Sequence, residues 1–281
     1  MQNLTTLKAK FPKLKPLKLV GIATLNAIWN CQYEGQLGVY QEHAGIASCL
    51  EGLKLTELPQ LIHLWEEDDH PRRAFYNLKI LFVNGCDRLQ KLVPFSLSFK
   101  NLRLLEVRKC HGMENLVTSS TAKSLRQLKG MVISECKRLI QIIGDYRGSD
   151  ETEEGETVFD LLEVLELDNL PSLKSFYSED NHLKFPNLKE VIVRSCCQML
   201  SFCSGKVSTP KVKRLIFSGV TMIKEDEDDS DEDSLGWNNE NDNEDWDFNE
   251  EENSDQQTMH LKEGDINATI RQLSERNLAD T

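Results

Sequence analysis

The chain has 281 residues, 39% of them hydrophobic and 7% aromatic, with 33 Lys and Arg against 46 Asp and Glu. No stretch approaches the roughly 18 uncharged apolar residues of a membrane span, and the lysine-bearing start from Met1 to Lys18 has no apolar run of a secretory signal, so neither an integral membrane protein nor a typical secreted one fits. Charge divides the chain: residues 225–281 carry 21 acids and 3 bases, and residues 1–224 carry 25 acids and 30 bases, a mildly basic body before a strongly acidic tail.

In chain order, the apolar residues of the body recur with steps of 3, 2, 3, 3 and 3. The first unit is Leu14, Leu17, Leu19, Ile22, Leu25 and Ile28. The second is Leu50, Leu53, Leu55, Leu58, Leu61 and Leu64, with Pro59 after the fourth leucine. The third, Leu78 to Leu92, puts Cys86 in the fourth place. Cys110 takes that place in the unit from Leu102, Cys136 in the unit from Leu128, and Cys196 in the unit from Leu188. The unit from Leu162 returns to Leu170 followed by Pro171. A shorter copy begins at Val212 with Leu215, Phe217 and Val220. The two longest intervals hold inserts, one polar (Asn30 to Ser48) and one acidic (Gly144 to Thr157).

A fixed period of this length marks a repeat architecture, and L-x-x-L-x-L-x-x-N/C-x-L is the leucine-rich repeat pattern. In each L-x-L the two apolar side chains share one face of a short strand, and the residues beside them point the other way. One unit cannot cover its own apolar face; stacked units do. The chain therefore reads as an α/β solenoid, a leucine-rich repeat horseshoe of about eight repeats over residues 1–224 with a parallel sheet on its concave face. A disordered acidic tail follows over 225–257, then a short amphipathic helix over 258–281, in which Ile266, Ile270 and Leu273 share a face.

Eight cysteines would suit a disulfide framework, but their placement follows the repeat. Cys86, Cys110, Cys136 and Cys196 share one inward position and read as reduced, buried thiols. Cys197 is the outward member of a vicinal pair and the more reactive thiol. Phe-x-x-Leu recurs before several strands, at Phe11, Phe75, Phe99, Phe159 and Phe185, and these rings read as spacers packed inside the convex side.

The outward residues of the strands form columns on the concave face. Ile80, Phe82 and Leu104 make a contiguous apolar patch, the kind of surface that docks a protein. Arg108 and Arg194 supply charge selectivity, and Glu106, Val132, Glu166, Asp168 and Ile192 complete the candidate partner-binding set. Glu106 and Glu166 stand two strands apart in their column, too far for an acid–base couple. No nucleophile–base pair or zinc-ligand spacing occurs, so no catalytic, cofactor-binding or metal residue is assigned. The bases of the body are dispersed, which argues against nucleic acid.

The Cys-bearing units alternate with Leu-Pro units such as Leu58-Pro59-Gln60-Leu61-Ile62-His63-Leu64-Trp65, and are introduced by runs such as Phe185-Pro186-Asn187-Leu188-Lys189. Over about residues 11–220 this resembles the leucine-rich region of plant intracellular immune receptors, in particular the coiled-coil, nucleotide-binding class of disease resistance proteins. The resemblance implies a cytoplasmic or nuclear, non-enzymatic interaction module of plant innate immunity. It would sense a pathogen effector or a modified host protein, or hold a receptor inactive through its nucleotide-binding region. The chain has no G-x-x-x-x-G-K-[ST] phosphate loop, so it reads as a fragment or truncated relative of such a receptor. The alternative is a leucine-rich repeat substrate adaptor for ubiquitination, although no F-box-like helical segment is visible at the N-terminus.

Overall fold

The computed structural model describes residues 15–25, 27–29, 50–65, 75–92, 98–144, 156–177, 182–217, 220–223, 257–260 and 266–279. In chain order its first strands are β1 (Pro16–Val20), β2 (Ala27–Trp29), β3 (Gly52–Thr56), β4 (His63–Trp65), β5 (Ile80–Asn84), β6 (Leu104–Arg108) and β7 (Asn115–Val117). A helical turn α1 (Ser119–Ala122) leads to β8 (Gly130–Ser134), β9 (Gln141–Ile143), β10 (Glu156–Val158), β11 (Val164–Asp168), β12 (Ser175–Tyr177) and β13 (His182–Lys184). Then come β14 (Glu190–Arg194), β15 (Val207–Ser208), β16 (Arg214–Phe217), β17 (Val220–Ile223), β18 (Gln257–His260) and the helix α2 (Ile266–Ala279).

The L-x-L segments form one parallel sheet in the order β1-β3-β5-β6-β8-β11-β14-β16, extended by β17 and β18. Pairing is in register from unit to unit, so Leu53, Leu81 and Leu105 align, as do Leu55, Val83 and Val107. These inward residues are fully or almost fully buried and belong to one continuous core. The opposite side of the solenoid is built from short strands, β7-β9-β12, β10-β13-β15 and β2-β4, with helix confined to α1 among the described connections. No described helix is long and apolar enough to cross a membrane.

The steps of three have a plain backbone cause. Before several strands, Phe-x-x-Leu closes a turn in which the leucine N–H donates to the phenylalanine carbonyl, as from Leu78 to Phe75 (3.0 Å) and from Leu102 to Phe99 (3.4 Å); before β8 Leu125 takes the place of the phenylalanine, with Leu128 donating to it (3.2 Å). After most of these strands, a second turn does the same, as from Leu89 to Cys86 (3.1 Å), from Leu173 to Leu170 (3.1 Å) and from Met199 to Cys196 (3.0 Å). Between strand and turn one residue sits in the left-handed region: Gly21, Glu57, Gly85, Lys109, Glu135, Asn169 and Ser195 have φ of 49 to 66°. Its N–H is used by the next repeat, as when Lys109 donates to the Ser134 carbonyl (3.1 Å) and Glu135 to that of Asp168 (3.0 Å).

The cysteines complete that corner. Each ladder thiol donates to the carbonyl two residues back: Cys110 to Arg108 (3.1 Å), Cys136 to Ser134 (3.3 Å), Cys196 to Arg194 (3.2 Å) and, at longer range, Cys86 to Asn84 (3.7 Å). Burial pushes the Cys136 thiol up to about 11 and the Cys196 thiol up to about 12. The contact with Cys86 and then burial hold Cys110 well above the ordinary thiol value. Cys197 is exposed. The phenylalanines stack between repeats: Phe159 and Phe185 lie parallel with centroids 5.2 Å apart, and Phe176 and Phe202 are 5.7 Å apart. Phe75, Phe99, Phe159 and Phe185 are buried as spacers; Phe11 lies outside the described residues.

At the C-terminal end, β17 turns back antiparallel to β16, and β18 runs parallel to β17. Helix α2 then buries Ile266, Ile270 and Leu273 in the same core. The acidic stretch 225–256 and the polar insert from Asn30 to Ser48 lie outside the described residues.

Candidate functional site

The outward residues of the sheet face one surface because strand residues alternate. Three columns cross the strands in register. Ile80 pairs with Leu104, and Leu104 with Gly130. Lys54, Phe82, Glu106, Val132, Glu166 and Ile192 follow one another in the central column. Thr56, Asn84, Arg108, Ser134, Asp168 and Arg194 follow in the third.

Ile80, Phe82 and Leu104 are brought together and are each half-buried. Leu104 leans over Gly130, where a Cβ would stand 3.0 Å from Leu104 Cδ1. Phe82 is also covered from one side, since the Lys54 ammonium lies 4.6 Å from its ring centroid. That arrangement is a cation–π contact. The patch is therefore a shallow apolar floor with a lysine at its edge. Among the described residues the most exposed large apolar side chains lie elsewhere, at Val20, Tyr76 and Leu200.

Two members of the expected contact set offer little surface. Val132 is 3% exposed and Glu106 is 6% exposed. The physical reason is the column itself. Val132 is a short side chain between two longer ones, Glu106 and Glu166. Glu106 folds onto Arg108, whose Nε donates to it at 2.5 Å. Both lie beneath their neighbours in the face. Ile192, Glu166, Asp168, Arg108 and Arg194 are half-buried.

The carboxyl groups of this face share an electrostatic environment. Burial raises Glu106, with Arg108 and Lys54 opposing it. Burial raises Glu166, opposed by Arg108 and Arg194 and reinforced by Asp168 and Glu106. Burial also raises Asp168, with Arg194 as the main opposing charge. The rim is different. Glu51 bridges Lys79 (2.6 Å) and Lys15 (2.9 Å), whose hydrogen bonds bring its carboxyl down to about 2. No group of ligands that could hold a metal ion occurs among the described residues.

The chain matches the family model of plant disease resistance protein RPS2-like leucine-rich repeats twice, over residues 3–98 and 96–209. It is 27% identical over 165 residues to the "Probable disease resistance protein At5g47260" of Arabidopsis thaliana, an alignment that takes in 55% of this chain and 17% of that protein. The chain thus spans about a sixth of the length of this curated relative. No solved structure matches it significantly. With repeats, register and two matches in agreement, the chain belongs to the RPS2-like leucine-rich repeat family of plant disease resistance proteins.

Proposed function

We propose that the chain is a non-enzymatic docking module of plant immunity, and that its concave sheet binds a protein: a pathogen effector, a modified host protein or the nucleotide-binding region of a receptor. The observation that carries this reading is the juxtaposition of Ile80, Phe82 and Leu104 on neighbouring strands of the open face. Interface energy concentrates in a few aromatic and arginine side chains set in an apolar surround. Phe82, with Arg108 one strand further along, matches that composition. Membership of a disease resistance family supports the biological setting.

The test is capture of the nucleotide-binding region of a receptor of the same family by the full chain and by its Phe82→Ala variant. Docking through this face predicts binding weakened by about 1–3 kcal/mol in the variant. Equal capture by both chains overturns the assignment of the surface.

A further inference from the structure

The third column of the concave sheet contains polar atoms that the fold does not satisfy. Thr56 Oγ1, Asn84 Oδ1 and Ser134 Oγ are buried and have no hydrogen-bond partner among the described residues. Leaving a buried polar atom unpaired costs about 1–3 kcal/mol, and native structures hold few of them. Three on one column of one face is therefore an observation about that face. Ser134 is the most enclosed, at 4% exposed, and stands between Arg108 and Asp168 in the sheet.

The charges around Ser134 are unevenly matched. Arg108 is taken by Glu106 at 2.5 Å. Among the described residues no side chain hydrogen-bonds to Glu166 or Asp168; the arginines act on them only at a distance, and Asp168 has in addition the backbone N–H of Asn169. Two partly desolvated carboxylates thus lie beside an orphan hydroxyl, with apolar Val132 and Ile192 on the neighbouring strands. Desolvated carboxylates are stabilised by a cation brought into contact. The acidic stretch 225–255, with 17 acids and no bases, is the wrong sign for this notch.

We infer that Glu166, Asp168 and Ser134 form an acceptor notch for one arginine or lysine side chain of an extended protein segment, whose backbone polar groups meet Asn84 and Thr56 along the same column. The guanidinium of arginine carries five donors and suits a carboxylate pair flanked by a hydroxyl oxygen. This inference rests on the concave-face reading above and adds to it the chemistry of the partner: a cationic side chain next to an apolar one.

The experiment uses the full chain with labelled valine and isoleucine methyl groups and three capped tetrapeptides, Gly-Leu-Xaa-Gly, in which Xaa is arginine, citrulline or glutamate. The arginine peptide should shift the Val132 and Ile192 methyl signals saturably. The citrulline peptide, of the same shape but neutral, should bind at least fivefold more weakly, and the glutamate peptide should leave both signals unmoved. Glu166→Gln should weaken the arginine peptide at least fivefold. Ser134→Val should weaken it while raising the melting temperature of the free chain, because the orphan oxygen is gone. The notch is overturned if citrulline binds as well as arginine, if Glu166→Gln leaves the affinity unchanged, or if arginine moves no concave methyl. That last outcome includes capture of the peptide by the acidic stretch alone. If the notch fails while Phe82→Ala still weakens capture of the nucleotide-binding region, the docking surface stands and only the cation is lost. If Phe82→Ala captures normally as well, both fall.

Discussion

The side chain of Asn267 takes, for Phe202 and Cys203, the part that the main chain of a following unit plays elsewhere. Its Oδ1 accepts the Phe202 N–H at 2.8 Å, and its Nδ2 donates to the Cys203 carbonyl at 2.8 Å, with Asn267 itself 2% exposed. Along the solenoid such backbone groups are used by the following unit, as Tyr177 N–H is by the Phe202 carbonyl (2.9 Å). At the last turn an amide on α2 does that work, and Ile266, Ile270 and Leu273 cover the apolar end. Solenoids need such caps because a terminal repeat exposes the face that its neighbours would bury.

Asn267→Leu keeps the size and removes both partners. It should destabilise the chain by about 1–3 kcal/mol, since the buried Phe202 N–H is left unpaired, while the Cys203 carbonyl keeps the Arg271 guanidinium at 3.4 Å. Gln272→Ala, at an exposed position of the same helix, should stay within about 0.5 kcal/mol of wild type. Urea unfolding of the two variants checks this. Equal midpoints would mean that α2 does not cap the solenoid.

The cysteine ladder predicts a pattern of reactivity. In the native chain Cys197 should alkylate quickly, because it is exposed. Cys86, Cys110, Cys136 and Cys196 should react only as the chain opens, being at most 2% exposed. Burial, which also raises the Cys136 and Cys196 thiols, leaves little thiolate to attack. Cys110→Asp should cost at least about 3 kcal/mol, the scale of an uncompensated buried charge. Mass spectrometry of peptides after timed labelling reads every thiol separately, and fast labelling of the four would contradict their inward assignment.

The left-handed corner after each strand gives a prediction of sign. Gly85 has φ of 66°, and a Cβ there would meet only ordinary contacts at 3.6 Å from Glu57. Gly85→Ala should therefore cost about 1–2 kcal/mol from backbone conformation alone. Lys109, at φ 51°, carries that strain already. Lys109→Gly should be neutral or stabilise by up to about 1 kcal/mol, strain relief being offset by the entropy of glycine. Denaturant midpoints that move in the same direction for both would refute the shared corner.

Two glutamates should respond to pH with opposite signs. Burial raises Glu166 above its ordinary value of 4.5, against Arg108 and Arg194 and with Asp168 and Glu106. Above that value the folded chain binds more protons here than the unfolded chain, so stability falls as pH rises through the raised pKa. Glu51 is held at about 2 by Lys79 and Lys15. Its contribution is present above 4.5 and lost as pH falls towards 2. At pH 7.5, then, Glu166→Gln should be at least as stable as wild type and Glu51→Gln slightly less stable, the rim pair being partly exposed. At low pH both differences should shrink. Unfolding curves at pH 7.5 and pH 3 decide it, and a Glu166→Gln chain that is less stable only at the higher pH would contradict the desolvation account.

The strands and turns were legible in the sequence for a physical reason. Inward residues step by two within a strand and by three through each hydrogen-bonded turn, so Leu81, Val83, Cys86 and Leu89 announce strand, corner and turn in one line. The left-handed residue was not legible. Lys109 and Glu135 occupy it as readily as Gly85, because the corner is enforced by the ladder on both sides of it. The enclosure of Val132 and Glu106 depends on side chains from other strands, which a single repeat does not reveal. The orphan oxygens of Thr56 and Ser134 were hidden for the same reason. The cap was also out of sight, because Asn267 meets Phe202 across 65 residues of chain.

The most direct test of the central claim, a core on one side of the sheet and a docking face on the other, is a paired measurement on adjacent residues. Leu81 is fully buried and Phe82, next to it, faces outward in β5. Leu81→Ala should cost about 2–5 kcal/mol of stability through lost core contacts. Phe82→Ala should melt within a few degrees of wild type yet, on the proposed docking role, capture the nucleotide-binding region of a receptor of the same family more weakly. A Phe82→Ala chain that melts as low as Leu81→Ala, or that binds as well as wild type, would contradict the account.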